Sequence, residues 1–113
     1  MEVLFADTKL HEECNSEKAL RRAWGAENAA RIKRRLVEFD AAPSLADMFM
    51  LPQARCHALI GDRAGQFAVD VKHPQRLIFE PADDPLPRKP DGGLELNRIT
   101  KVRILEIKDY HGD

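Results

Sequence analysis

The chain has little cysteine. Cys14 and Cys56 are its only two, 42 positions apart, so neither a disulfide-framed scaffold nor a zinc-ribbon spacing is present. Two reduced, partly buried thiols are the expectation. No apolar run approaches the roughly 20 residues of a membrane-spanning helix. The opening Met1 to Ala6 carries no basic segment before it, so the reading is a soluble cytoplasmic protein with no membrane partner. Charge of one sign is also missing: 18 Lys and Arg stand against 19 Asp and Glu, a net charge of -1. Bulk charge therefore gives no reason to expect nucleic-acid binding. The four histidines, at 11, 57, 73 and 111, fall in no H-x-x-H or H-E-x-x-H spacing. No metal site and no cofactor are assigned.

What is present is globular material. At 113 residues, with 43% apolar and 33% charged residues, the composition fits one domain over 1–113 and excludes disorder as the overall state. Met1 to Ala6 is rich in strand formers and runs into Asp7, a good helix N-cap. Thr8 to Trp24 contains no Gly or Pro, with Leu10, Cys14, Leu20 and Trp24 near one helical face, and Gly25 suits a left-handed cap. Ala26 to Ala42 repeats the pattern through Ala29, Ile32, Leu36 and Phe39 and stops before Pro43. The short link predicts an antiparallel helical hairpin. Ser44 to Asp47 reads as a single turn.

After Pro52 the texture turns to strands: Arg55 to Ile60, Gln66 to Lys72, Arg76 to Glu80, and a final run from Ile99 to Lys108. Phe67, Val69 and Val71 alternate with Ala68 and Asp70, the mark of a half-buried strand. Residues 81–97, rich in Pro, Gly and charge, read as a surface loop, and Asp109 to Asp113 as a short tail. The fold class is therefore α+β: an N-terminal strand, a two-helix hairpin, then a mostly antiparallel sheet of three to four further strands.

The near-neutral total conceals two patches. Residues 18–35 carry a local balance of +6 and residues 1–17 one of -4. A basic helical patch with Arg31, Lys33, Arg34 and Arg35 has the chemistry to track a phosphate backbone, or to face solvent or an acidic protein segment. His57 lies in a strand and His111 just past the last one. Metal-free RNA cleavage needs a base for the 2′-hydroxyl, an acid for the 5′-oxygen and a cation for the charge on phosphorus. Imidazole suits both proton roles, Arg76 can supply the cation, and Tyr110 offers a ring for stacking.

The stretch from Arg55 through His57, Gly61-Asp-Arg63 and Gly65 to Val69, followed by Arg76-Leu-Ile-Phe-Glu80 and the terminal Asp109-Tyr-His111, resembles the HigB-type plasmid-maintenance killer toxins of the RelE/ParE superfamily. That resemblance implies the toxin of a type II toxin-antitoxin system, a metal-independent mRNA endonuclease working on the translating ribosome and leaving a 2′,3′-cyclic phosphate. It also implies a helix-turn-helix antitoxin of the HigA type, through which alone operator DNA is reached. The positions that match the family's catalytic set are His57, Arg76, Asp109, Tyr110 and His111. Arg63 is a candidate phosphate contact, with a hairpin-bend role as its competing reading. Three departures stand out: Pro74-Gln75 replaces an Asn-Trp pair, Asp70 occupies an often basic position, and the loop after Pro81 is long and acidic. They motivate a second expectation, a family member that binds an antitoxin without cutting RNA. A third is an unrelated interaction module. The endonuclease reading places His57 and His111 within about 10 Å on one face.

Overall fold

The computed structural model describes residues 1–109, so the candidate site residues Tyr110 and His111 lie outside the described residues. Strand β1 (Glu2–Phe5) runs into α1 (Thr8–Cys14), whose first turn is closed by Asp7 Oδ1 accepting from the Leu10 amide at 2.8 Å. The expected continuous helix to Trp24 is instead two helices. Ser16 Oγ accepts from the Ala19 amide at 3.1 Å, while the Asn15 side chain donates to the His11 carbonyl at 2.8 Å. A side-chain acceptor that satisfies an orphan amide starts a new helix where an uninterrupted one offers it nothing. Thus α2 spans Glu17–Trp24. Gly25, at φ +81, then turns the chain into α3 (Ala26–Ala41), a conformation that favours glycine. A short α4 (Leu45–Phe49) follows, begun by Ser44, whose amide and hydroxyl both donate to Asp47.

Strands β2 (His57–Ala58), β3 (Phe67–Asp70), β4 (Gln75–Pro81) and β5 (Lys101–Asp109) complete a five-stranded sheet ordered β1-β5-β4-β3-β2. β1 is parallel to β5 and every other pairing is antiparallel. The strand expected over Arg55 to Ile60 contracts to two residues. Arg55 sits at φ +48 on one side, and a 3-10 turn opening at Gly61 (φ +65) cuts off the other. The acidic loop after β4 is tied down: Asp83 accepts from the amides of Thr100 and Lys101, and Arg88 bridges Leu94.

One sheet face meets the helices. Phe67, Val69, Leu77, Phe79, Val102, Ile104 and Ile107 share a single buried cluster with Leu20, Ile32, Phe39, Leu45 and Met48. Phe79 is its hub, edge-on to Phe39 at 4.8 Å and stacked on Phe67 at 5.7 Å. Each such side chain removed from water contributes about 1.5–3 kcal/mol. The Met1 ammonium caps the far end of α3, donating to the carbonyls of Phe39 and Asp40 at 3.0 Å each. A cation at orphan helix carbonyls both satisfies them and opposes the helix dipole. No helix among the described residues is long and apolar enough to cross a membrane.

Candidate functional site

The other sheet face is left uncovered by the helices. Because directly opposed residues in an antiparallel ladder point the same way, two rows can be read from the pairing. One runs His57–Ala68–Ile78–Glu106 and the next Asp70–Arg76–Lys108. Between them Leu59, Ala68, Ile78 and Leu105 form a small apolar floor. Leu105 joins it because a bulge opposite Ile78 and Phe79 inserts an extra residue in β5.

Charge is laid over this floor in two clusters. The Asp70 carboxylate takes Arg76 Nε at 3.0 Å and Arg55 Nε at 3.3 Å. The Glu106 carboxylate takes Arg63 at 2.9 Å, and Arg63 also donates to Gln66 at 2.8 Å. Arg55, Arg63, Arg76 and Lys108 outnumber Asp70 and Glu106, so the face is net cationic. Its sign comes from strand pairing and has no trace in the whole-chain charge.

His57 is fixed through its neighbours. Its Nδ1 lies 2.9 Å from the Arg55 carbonyl oxygen. A carbonyl only accepts, so the neutral ring carries its proton on Nδ1 and its lone pair on Nε2. Nε2 is covered from solvent; a substrate hydroxyl reaches it only after the covering groups move. The Arg55 carbonyl is aimed by the left-handed backbone at that residue, and Asp70, itself anchored by Arg35, holds the segment once more. The Asp70 amide donates to Ala54 O at 2.8 Å, while Arg35 Nε donates to Asp70 O at 2.8 Å.

The predicted residues thus separate. His57, Arg63 and Arg76 share the open face. At about 4.8 Å between strands and 3.4 Å per residue, the Cα atoms of His57 and Arg76 are about 12 Å apart, and those of His57 and Asp109 about 18 Å. Asp109 sits at the end of β5 in register with Gln75, whose side chain bonds Asn28 of α3 at 2.8 Å. Arg31, Lys33 and Arg34 are exposed on α3, with Arg31 3.6 Å from Glu27 and Lys33 3.3 Å from Glu17. Arg35, expected among them as a phosphate contact, is instead 5% exposed and spends its guanidinium on Asp70 O, Gln53 O and Glu38. It falls on the buried stripe with Ile32 and Phe39, and its ends are satisfied inside the fold. The residues that sequence reasoning passed over are Arg55, Glu106 and Lys108. Only the register, which composition does not carry, brings them to the site.

Burial pushes the Cys14 thiol up to about 11 and the Cys56 thiol up to about 12, so neither supplies a thiolate nucleophile near neutral pH. Lys72, by hydrogen bond and charge, holds Glu27 below the ordinary carboxylate value. Among the described residues, no three His, Cys, Asp or Glu side chains gather to hold a metal ion.

No family model matches the sequence, and no curated protein matches it. Among solved structures, a YoeB/ParE toxin from Agrobacterium tumefaciens superposes with a TM-score of 0.58 at 10% identity, covering 98% of this chain and 100% of that one. The likeness takes in nearly the whole of both chains, and this chain shares that toxin's α+β fold.

Proposed function

We propose that this chain is the toxin of a type II toxin-antitoxin pair and that its open sheet face cleaves mRNA on the translating ribosome. The observation that carries the reading is the gathering of His57, Arg55, Arg63 and Arg76 on the sheet face that no helix covers, in a fold shared with a toxin. A phosphodiester laid over the apolar floor meets arginines on both sides. His57 Nε2, its tautomer set by the Arg55 carbonyl, takes the 2′-hydroxyl proton. The oxygen attacks phosphorus, the arginines offset the charge that builds there, and the 5′-oxygen leaves with a proton from an acid, giving a 2′,3′-cyclic phosphate. His111 or Tyr110 is our candidate for that acid, with Asp109 orienting it. The HigB-like motifs point to a helix-turn-helix antitoxin of the HigA type as partner, and the ribosome places the activity in the cytoplasm.

The test is expression of the chain alone, followed by mapping of transcript ends in a translating extract. Growth arrest with cyclic-phosphate ends is expected, lost in His57→Ala, Arg76→Ala and His111→Ala. Intact transcripts with the wild-type chain would overturn the reading.

A second reading is favoured by one observation: Asp70 already pairs with both Arg76 and Arg55. On that reading the chain binds its antitoxin in operon control without cutting RNA. Tight binding of the neighbouring gene's product, together with uncut transcripts at low salt, would support it.

A further inference from the structure

A groove of about 640 Å³ lies where α1 and α2 pass over the second half of β5, reaching the open-face site only at Leu105 and Glu106. β1 pairs with β5 only from Lys101 to Ile104, its last bond running from the Ala6 amide to the Ile104 carbonyl at 2.9 Å. β5 continues to Asp109. From Leu105 onward its β1 side therefore has no strand beside it among the described residues. The antiparallel ladder with β4 alternates, beginning from the Ala82 amide on Lys101 O. Carried past the bulge, that alternation turns the N–H and C=O of Ile107 into the groove. Overhead, the Trp24 indole Nε1 is buried without a hydrogen-bond partner among the described residues, which leaves a strong donor waiting for an acceptor.

We propose that this slot takes an extended, acidic and apolar segment of a partner protein, added as a strand beside β5 in line with β1. An extended backbone supplies both what Ile107 needs, a donor and an acceptor at strand spacing, and a carbonyl for Trp24 Nε1. Leu10, Leu105 and Ile107 line the slot for alternate apolar side chains. Lys9 and Arg22 line it too and have no ion-pair partner among the described residues; of the lining acids Asp7 is spent on its cap and Glu106 on Arg63, which leaves Glu13 alone against the two cations. The free charge thus favours carboxylates. RNA is the poorer occupant, because its backbone does not repeat a donor and an acceptor at strand spacing. The proposal deepens the reading above by giving the blocking partner a docking site, and its test does not depend on toxicity.

Trp24 is the chain's single tryptophan, so its fluorescence reports the slot alone. The full chain is titrated with a peptide of about ten residues alternating Val and Glu, with a Val/Lys counterpart, and with oligouridylate. The Val/Glu peptide is expected to shift Trp24 emission and slow exchange of the Ile107 amide. Ala23→Glu, on the exposed side of α2 at the groove, should weaken it about tenfold or more, whereas Val37→Glu, exposed on α3 outside the groove, should not. Far-UV circular dichroism checks that both variants fold. No response up to about 1 mM, equal weakening by both variants, or preference for the Val/Lys peptide or RNA would overturn the proposal. Growth arrest and RNA cleavage are scored separately, so a failed slot and a failed toxin reading are told apart.

Discussion

Asp70 is the group on which the candidate site turns, and Asp70→Asn removes its charge while keeping its shape and backbone bonds. The amide to Ala54 O and the carbonyl taken by Arg35 survive the change. What is lost is the ion pair with Arg76, where the two side chains are 21% and 25% exposed, and the pair with Arg55, whose side chain is 76% exposed. The first, partly desolvated, is worth about 1.5–3 kcal/mol. The second contributes at most about 1 kcal/mol. Some of this returns through the Asn oxygen, so a net loss of about 1–3 kcal/mol is expected, or roughly 4–12 °C in Tm for a domain of this size. RNA affinity should move the other way, since the variant frees two arginines on a net cationic face. In a background of His57→Ala, binding of single-stranded RNA should tighten, and its salt slope should steepen by roughly 0.7 for each phosphate newly neutralised. Calorimetry and fluorescence anisotropy across a salt series measure the two effects. A variant as stable as wild type, with an unchanged salt slope, would refute the placement of Asp70 between Arg76 and Arg55.

Other outcomes follow from the same geometry. Arg35→Met should cost about 3–5 kcal/mol in denaturant unfolding, because it strands Glu38 and two carbonyls inside the fold, whereas Arg34→Met on the exposed face should cost less than about 0.5 kcal/mol. Gln at Arg31, Lys33 and Arg34 together should leave Tm unchanged; if α3 tracks RNA, the salt slope of binding falls by up to roughly 2. With thiols raised from 9.0 to about 11 and about 12, alkylation near pH 8 should be slower than for a free cysteine by about a hundredfold at Cys14 and a thousandfold at Cys56. The unfolded chain loses these protons first, so stability is flat below about pH 9 and falls as pH rises from there toward 12, which urea midpoints across that range would register.

The chain's architecture was readable because its punctuation is chemical. Gly25, Pro43 and the β-branched run before Lys108 divide it where the structure does, and the period of Ala29, Ile32 and Phe39 marks the buried stripe of α3. Two boundaries were not readable. Ser16 is as compatible with a helix interior as with a cap until its hydroxyl finds the Ala19 amide, and nothing in Arg55 announces a left-handed backbone. The site was half readable: His57 and Arg76 carry recognisable chemistry, but their partners Asp70, Arg55 and Glu106 come from pairings between strands distant in sequence. Arg35 was misread for the same reason. Four basic residues in a row of five look like one surface until helical phase turns one of them inward.

Arg55 shows where local strain and candidate chemistry coincide. A non-glycine residue at φ +48 carries about 1–2 kcal/mol of backbone cost, and such costs persist where surrounding contacts hold them, often at sites of function. Here the contacts are visible: Asp70 grips the side chain and His57 Nδ1 the carbonyl. Arg55→Gly relieves the strain, gives back a similar amount to unfolded-chain entropy, and loses an exposed ion pair. Its Tm should stay within about 4 °C of wild type. Arg55→Ala keeps the strain and loses the pair, so it should melt below the glycine variant. If the residue served only the turn, the glycine variant would cut RNA as wild type does. The open-face reading requires instead that glycine preserve the fold and, by removing a cation and loosening the carbonyl that sets the His57 tautomer, depress cleavage at least tenfold. Full activity in Arg55→Gly would remove Arg55 from the site and leave the tautomer of His57 without a functional consequence.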